Sequence, residues 1–148
     1  MGAMPFTIRV CDWTGGATAL RKIRHEVFVV EQHVPDVLEW DDADAQSVHA
    51  LAEDPDGTPI GCARLLPDGH IGRVAVIRAW RGRHVGEGLL LRLIDEAQCR
   101  GDARAIVNAQ VAAIPFYERY GFVVTGDEFE EAGIAHRVME RALAVARK

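Results

Sequence analysis

The sequence is poor in cysteine and has no long apolar run, and each absence excludes a class of protein. Its three cysteines (Cys11, Cys62 and Cys99) form no C-x-x-C motif, which favours reduced thiols in a cytoplasmic protein over disulfides. No apolar run approaches the roughly 20 residues that a membrane-spanning helix needs, and the N-terminus has no signal-peptide pattern. We therefore expect a cytoplasmic protein without a membrane segment.

The sequence also lacks a net positive charge and the residue spacings of metal sites. Its net charge of −5 at pH 7 argues against binding to nucleic acid. The six histidines form no H-x-x-x-H pair, and the acidic run from Asp41 to Asp44 has Gln46 and Ala52 where an EF-hand needs glycine and glutamate. No metal is therefore expected. The acidic run predicts either a solvated loop or an acidic lip for a cationic amine, with Asp41 as its candidate substrate-binding residue.

A chain of 148 residues, of which 49% are hydrophobic, can bury one full core. We expect a single domain over residues 5–148, with residues 1–4 outside the fold. Two strand–helix units follow an antiparallel hairpin, which predicts a mixed sheet with helices on both faces. Periodicity predicts strands at 6–11, 49–52, 60–66, 71–76, 105–107, 121–124 and 135–144, and helices at 20–30, 89–97 and 112–120.

The stretch from Ile71 to Gly101 predicts a strand, a basic glycine-containing turn and a helix. A helix N-terminus offers unpaired N–H groups and a partial positive charge, and glycine lets an anion approach closely. The turn therefore predicts a phosphate or pyrophosphate site. It is not a Walker A loop, because no Lys-Ser or Lys-Thr pair occurs, and the spacing of Gly82, Gly86 and Gly88 does not fit the dinucleotide fingerprint.

The turn resembles the acetyl-CoA loop of the GNAT N-acetyltransferases, which has the pattern Q/R-x-x-G-x-G/A. Arg81 begins this pattern and Gly86 ends it, while His84 stands where the family usually has glycine. The segment from Ile114 to Phe122 is similar to the family's second signature, A-x-x-F-Y-x-x-x-G-F. Further segments resemble the ElaA/YjcF-type members of the family, namely Val27–Gln32, Pro35, His49, Asn108–Gln110 and Ala132–His136.

The resemblance implies an α/β (α+β) single-domain GNAT fold. Its mixed, mostly antiparallel sheet would have six to seven strands and about four helices, with a splayed parallel strand pair forming the acetyl-CoA cleft. The implied activity is direct transfer of an acetyl group from acetyl-CoA to a primary amine of a small molecule or peptide, through a ternary complex. A non-catalytic acyl-CoA-binding sensor of the same fold and a phosphate-binding module remain as alternatives. A homodimer is also left open.

The resemblance also implies where the co-substrate binds. In the family the loop amides hold the pyrophosphate, and the pantetheine pairs with the strand before the loop. Arg81 and Arg83 would supply cationic contacts, and the Val76 N–H would polarise the acyl carbonyl. The residues implied to bind acetyl-CoA are Val74, Ala75, Val76, Arg81, Gly82, Arg83, His84, Val85, Gly86, Gln110, Phe116 and Tyr117.

Two catalytic residues are implied as well. Tyr117 falls at the tyrosine that many family members aim at the coenzyme sulfur, and a phenol with a pKa near ~10 can protonate a departing thiolate; Tyr120 is the alternative acid. Counting eleven residues back from Arg81, to the position of the base in some family members, gives His70. Glu31, at the end of the first predicted helix, is a rival base and a candidate substrate-binding residue. Deprotonation of the amine through water without a dedicated base also remains open.

Overall fold

The computed structural model describes residues 5–33 and 42–143, so the predicted substrate residue Asp41 lies outside the described residues. No helix in those two ranges is both long enough and apolar enough to cross a membrane. The strands are β1 (Thr7–Cys11), β2 (Val48–Glu53), β3 (Pro59–Leu65), β4 (Ile71–Val76), β5 (Arg104–Gln110), β6 (Val123–Val124), β7 (Phe129–Glu131) and β8 (Ile134–Ala142). The α-helices are α1 (Trp13–Arg24), α2 (Val85–Cys99) and α3 (Ile114–Glu118), with a π-helical turn at His25–Glu31 and 3₁₀ turns at Asp42–Gln46, Arg78–Trp80 and Val111–Ala113.

The described strands form two four-stranded sheets, which confirms the mixed, mostly antiparallel class. The first sheet has the order β1-β2-β3-β4, and in the second sheet β8 pairs with β5, β6 and β7. The predicted single sheet of six to seven strands is therefore divided into two parts. The described ranges contain three α-helices where about four were expected, and these correspond to the three segments that periodicity predicts.

The two sheets meet at one point, and this point creates the cleft. Strands β4 and β5 run parallel and are joined by a single bridge between His70, the residue before β4, and Ile106, supported by a 3.0 Å bond from the Ile106 N–H to the Gly69 carbonyl. Strand β4 then has two residues, Arg73 and Val74, opposite one residue of β3, and Arg73 has a φ of 51°. Such a β-bulge bends the strand that carries it. The predicted splayed parallel pair is confirmed, with its closed end at His70.

Helix α2 packs on one face of the first sheet, as its leucine periodicity predicts. Leu89, Leu90 and Leu93 have no exposed surface, and each buried leucine contributes about 1.5–3 kcal/mol of hydrophobic stabilisation. Gly88 brings the helix against β1, because a Cβ there would lie 2.7 Å from the Ile8 Cδ1 atom. The helix ends at Cys99, and Gly101 takes a left-handed φ of 91° that favours glycine. This packing fixes the turn before α2 against the end of β4.

Helix α1 covers the opposite face of the same sheet. It begins at Asp12, whose carboxylate accepts a 2.7 Å hydrogen bond from the Gly15 N–H, and it buries Leu20 and Ile23 against Leu51 of β2. Helices therefore cover both faces, as the sequence predicts. The predicted continuation to about residue 30 is π-helical, which the bond from the Gln32 N–H to the carbonyl of residue 27 shows.

The acidic run contains one residue that is not solvated. Asp44 is 1% exposed and accepts hydrogen bonds of 2.8 Å from Arg24 and 2.9 Å from Arg64. Burial alone would raise the pKa of Asp44, but the two guanidinium groups outweigh burial and lower it. The interpretation of this position as part of a solvated loop or lip is therefore wrong. His49 has a structural role here, because its Nε2 atom lies 2.9 Å from the Asp44 carbonyl.

Candidate active site

Two neighbouring pockets occupy the cleft, and Phe116 lines both of them. The larger pocket, which we call the central cavity, has a volume of about 740 Å³ and lies between the diverging strands β4 and β5. The smaller pocket, the loop pocket, has a volume of about 340 Å³ and lies at the turn before α2. The lining of the central cavity includes Gln32, Arg64, His70, Arg73, Val74, Gln110, Phe116, Tyr117, Glu131, Ile134 and His136.

The loop pocket has the backbone geometry of an anion site. The first helical hydrogen bond of α2 runs from the Gly88 N–H to the His84 carbonyl, so the preceding N–H groups at the start of this 15-residue helix have no intrahelical partner. A Cβ at Gly86 would come no closer than 3.8 Å to a neighbouring atom, and Gly82 faces open space with a φ of 77°. The residues present therefore fit a pyrophosphate group. His84 has a left-handed φ of 67°, so the residue that departs from the family pattern is strained.

Arg81 connects the loop pocket to the π-helical turn. Its guanidinium forms a bidentate pair with Glu31, with distances of 2.7 and 2.9 Å, and its Nε donates to the Val76 carbonyl at 2.9 Å. The hydrogen bond and charge of Arg81 lower the pKa of Glu31. Glu31 does not line the central cavity, although its neighbour Gln32 does and accepts a 3.3 Å bond from Gln110.

The end of β4 presents backbone groups to the cleft. The Ile77 N–H donates to the Ile60 carbonyl, and hydrogen-bonded pairs alternate along antiparallel strands, so the polar groups of Val76 point away from β3. Ala75, by the same alternation, bonds to β3, and its side chain is buried under α1. Ala75 lines neither pocket, so among the predicted β4 residues Val74 and Val76 are the ones exposed to a ligand.

Arg83 and Arg119 differ in their positions relative to the loop pocket. The Arg83 guanidinium lies over the Trp80 ring, 5.2 Å from its centroid, and Arg83 does not line the loop pocket. Arg119 does line it, on the residue after α3. No sequence pattern singled out Arg119, because its position depends on how α3 lies against the turn before α2. A contact between Arg83 and a phosphate stays a prediction.

Tyr117 and Tyr120 have different surroundings, which separates the two candidate acids. The Tyr117 ring packs edge-on against Phe116 and Phe122, and the residue lines the central cavity. Its hydroxyl has no hydrogen-bond partner among the described residues, and burial raises its pKa to about 12. The Tyr120 hydroxyl donates to Glu87, and this bond raises its pKa. Tyr117 is therefore the phenol available to a ligand in the central cavity.

His70 lies at the closed end of the cleft. Its backbone N–H and its ring Nδ1 both lie 2.9 Å from carboxylate oxygens of Asp68, and its side chain is 32% exposed. Partial burial would raise the pKa of Asp68, but the hydrogen bonds from His70 outweigh it and lower the pKa. His70 and Tyr117 both line the central cavity, so the structure brings the two predicted catalytic residues to one site.

Glu131 and His136 line the central cavity, although the sequence did not predict either as a site residue. His136 is 6% exposed, and its Nδ1 atom lies 2.7 Å from the Ile134 carbonyl. Across residues 5–33 and 42–143, no three His, Cys, Asp or Glu side chains come together as ligands for a metal ion.

Comparison with known proteins identifies the class. A family model described as an acetyltransferase (GNAT) domain matches residues 15–143. The protein named uncharacterized N-acetyltransferase YjcF of Bacillus subtilis is 37% identical over 122 residues, which cover 79% of this chain and 86% of the relative. A solved acyl-CoA N-acyltransferase of Pseudomonas aeruginosa is 32% identical with a TM-score of 0.85, over 93% of this chain and 100% of that one. The chain therefore belongs to the GNAT acetyltransferase family.

Its position within the family follows from two relatives. The solved structure of Escherichia coli ElaA is 29% identical with a TM-score of 0.81, over 91% of this chain and 99% of that chain. Together with the similarity to YjcF, this makes the chain an ElaA/YjcF-like GNAT enzyme that uses acyl-CoA.

Proposed function

We propose that this enzyme transfers an acetyl group from acetyl-CoA directly to a primary amine of a small molecule or peptide, within a ternary complex. The observation that carries the proposal is Tyr117, whose hydroxyl has no partner among the described residues and lies on the wall of a cavity formed where β4 and β5 diverge. The loop pocket adjoins this cavity through Phe116. A pyrophosphate at the loop and an acyl group beside Tyr117 therefore fit one continuous ligand.

The residues have separate parts in binding. The free N–H groups at the start of α2 and the Arg81 guanidinium hold the pyrophosphate, and the β4 backbone at Val76 faces the pantetheine arm. The Val76 N–H is positioned to polarise the acyl carbonyl. The thioester, when bound, supplies an activated acyl carbon. The central cavity holds the acceptor on the other side of that carbon.

Tyr117 is the proposed acid. As the new C–N bond forms and the C–S bond breaks, its hydroxyl donates a proton to the sulfur, and the second proton that the nitrogen loses restores the hydroxyl. The overall balance converts an ammonium and a thioester into an amide, a free thiol and one proton released to solvent. His70 remains the base that the sequence predicts, with Asp68 accepting from its Nδ1 so that Nε2 is left to take a proton.

The test measures release of free thiol from acetyl-CoA over a panel of primary amines and peptide N-termini. Tyr117→Phe keeps the packing of the ring and removes the hydroxyl, so it should lower kcat by about 10²–10⁴-fold with little change in acetyl-CoA affinity. Tyr120→Phe is the matched variant, and it should lose only the bond to Glu87. A kcat loss in Tyr120→Phe but not in Tyr117→Phe would reverse the assignment. Acetyl-CoA binding without thiol release with any acceptor would favour the sensor.

The pH profile adds a second readout for Tyr117. An ordinary phenol with a pKa near ~10 would cause activity to fall above that pH. Because burial raises the pKa of Tyr117 to about 12, its hydroxyl stays protonated at pH 10. We therefore expect kcat with a weakly basic acceptor to stay level through pH 10. A decline centred near pH 10 that disappears in Tyr117→Phe would show that the hydroxyl is not shielded in the working enzyme.

A further inference from the structure

The two ends of the central cavity differ in how far the strands have separated. His70 lies at the bridge to Ile106, where β4 and β5 are still joined. His136 lies opposite Gln110, at the other end of β5. Four residues of a strand span about 13 Å, so the two imidazoles belong to opposite ends of the cleft. Helix α3 with Tyr117 follows directly after that second end, where β4 also approaches the loop pocket.

His136 is held in a single orientation. Its Nδ1 atom lies 2.7 Å from the Ile134 carbonyl, and its ring stacks on Phe129 with centroids 5.7 Å apart. A carbonyl oxygen only accepts hydrogen bonds, so Nδ1 carries the hydrogen and Nε2 of the neutral ring keeps its lone pair. His136 is therefore a fixed acceptor at the open end of the cavity.

The Glu131 carboxylate lies near the His136 Nε2 atom but does not form a hydrogen bond with it. Its Oε2 atom is 3.8 Å from the His136 Nε2 atom, which is longer than a hydrogen bond, and its side chain is 47% exposed. Across the described residues, no arginine or lysine forms an ion pair with Glu131, and its contact with His136 is ionic only when the imidazole is protonated. The other charged or titratable groups on the cavity wall are Arg64, His70, Arg73 and Tyr117, none of which is a second carboxylate.

We propose that Glu131 and His136 form the subsite that recognises the acceptor as a primary ammonium. A primary ammonium has three N–H donors, and a carboxylate and a neutral imidazole nitrogen next to each other are two matching acceptors. Glu131 holds the positive charge, and the His136 Nε2 atom, in place of the His70 Nε2 atom at the closed end of the cavity, takes one proton, which leaves a neutral amine beside Tyr117. His136 then passes this proton to solvent, in agreement with the overall balance above. The inference deepens the proposed function and rests on it.

The first experiment compares Glu131→Gln with Glu130→Gln, using 2-phenylethylamine as the acceptor. Adjacent strand residues point to opposite faces, and Glu130 does not line the cavity, so it is the matched control. Glu131→Gln should raise KM for the amine by at least tenfold while the Kd for acetyl-CoA stays the same. Equal KM values in the two variants would overturn the subsite.

The second experiment tests the proton. His136→Asn keeps a side-chain N–H donor close to the position of Nδ1, which preserves the bond to Ile134, and it removes Nε2. It should lower kcat by about 10²-fold and abolish the acidic limb of the pH profile, with an unchanged melting temperature. Retention of that limb would overturn the assignment of His136 as proton acceptor. His25→Gln, on an exposed histidine of the π-helical turn, is the control for a general loss of imidazole.

A third measurement does not depend on turnover. The imidazole ¹⁵N signals of His136 should shift when 2-phenylethylammonium is added to the wild type and to Glu130→Gln, and the shift should be lost in Glu131→Gln. If acetyl-CoA binds but no amine is acetylated, the proposed function fails while this titration still tests the subsite. Absence of the shift in the wild type, or the same shift in all three proteins, would overturn the subsite itself.

Discussion

Two arginine–carboxylate clusters in this enzyme have the same chemistry and different burial. Asp44 lies between Arg24 and Arg64, and the exposed fractions of the three side chains are 2%, 1% and 8%. Glu31 and Arg81 form a bidentate pair with exposed fractions of 20% and 42%. A buried charge cannot replace a lost partner with water, whereas a partly exposed one can. The first cluster should therefore hold the fold, and the second can exchange partners when a ligand binds.

The elements joined by each cluster agree with this division. Asp44 ties the 3₁₀ turn at Asp42–Gln46 to the end of α1 and to β3, so it closes the sheet face that α1 covers. Glu31 ties the π-helical turn to the turn before α2, which borders the loop pocket. The lesson is that an ion pair between the same residue types indicates function only after its burial and its neighbours are known.

The largest expected effect comes from breaking the buried cluster. Asp44→Asn keeps the size of the side chain and removes the charge between two buried guanidinium groups, which should reduce the free energy of unfolding by about 3–5 kcal/mol. Urea unfolding at pH 7 measures this change. Asp95→Asn, on an exposed residue of α2 without an ion pair among the described residues, is the control and should change stability by less than about 0.5 kcal/mol. A similarly small effect in Asp44→Asn would contradict the structural role.

The same cluster predicts a dependence of stability on acid. The folded-state pKa of Asp44 is lowered, so its contribution to stability is present above the unfolded pKa of about 3.9 and is lost as the pH falls through the folded value. The wild type should therefore lose stability below about pH 4, and Asp44→Asn should lose less of it over that range. Parallel loss in both proteins would assign the acid sensitivity to other carboxylates.

A smaller effect is expected from removing the cation of the exposed pair. Arg81→Ala removes a charge-assisted contact to the pyrophosphate, worth about 1.5–3 kcal/mol, so the Kd for acetyl-CoA should rise about 10- to 100-fold. The loss should shrink as salt concentration rises, because partly exposed charges are screened. Calorimetry at two salt concentrations measures both. An unchanged Kd would mean that the loop amides bind the pyrophosphate without Arg81.

The sequence predicted those parts of the site that depend on local spacing. The leucine face of α2 and the basic turn before it are each contained in one short segment, so their geometry follows from that segment, whereas the assignment of Tyr117 came from the family resemblance. The fold class and the splayed strand pair were predicted through the family resemblance. The division of the sheet was not, because it depends on how β4 and β5 separate after a single bridge.

The remaining features depend on residues far apart in sequence or on backbone geometry without a residue signature. Asp44 looks like its acidic neighbours, and each of its arginines is 20 residues away. Glu31 and Arg81 are 50 residues apart. A tight hairpin places Glu131 next to His136, and Ala132 in this hairpin has a left-handed φ of 54°. Alanine, unlike asparagine or glycine, is not a residue from which a left-handed turn is predicted.

The weakest effect is expected from Glu31→Gln, which removes the carboxylate charge of the partly exposed pair. The carboxylate of Glu31 neutralises Arg81 and lies 3.6 Å from Arg78, next to the site where a doubly charged pyrophosphate is proposed to bind. Without this negative charge, the positive charge of Arg81 is no longer neutralised by Glu31 and acts on the pyrophosphate in full. We expect the Kd for acetyl-CoA to fall about threefold, with a steeper salt dependence and an unchanged melting temperature.

The control for this variant is Glu26→Gln, because Glu26 is an exposed carboxylate on the same π-helical turn and has no ion pair among the described residues. It separates the local effect at Arg81 from a general change in charge. A rise in Kd in Glu31→Gln would carry a different meaning, namely that Glu31 orients the Arg81 guanidinium for the phosphate. A lower or a higher Kd in Glu31→Gln therefore decides whether Glu31 competes with the pyrophosphate for Arg81 or orients Arg81 to bind it. The buried cluster around Asp44 does not contact the loop pocket, so its charges have neither role.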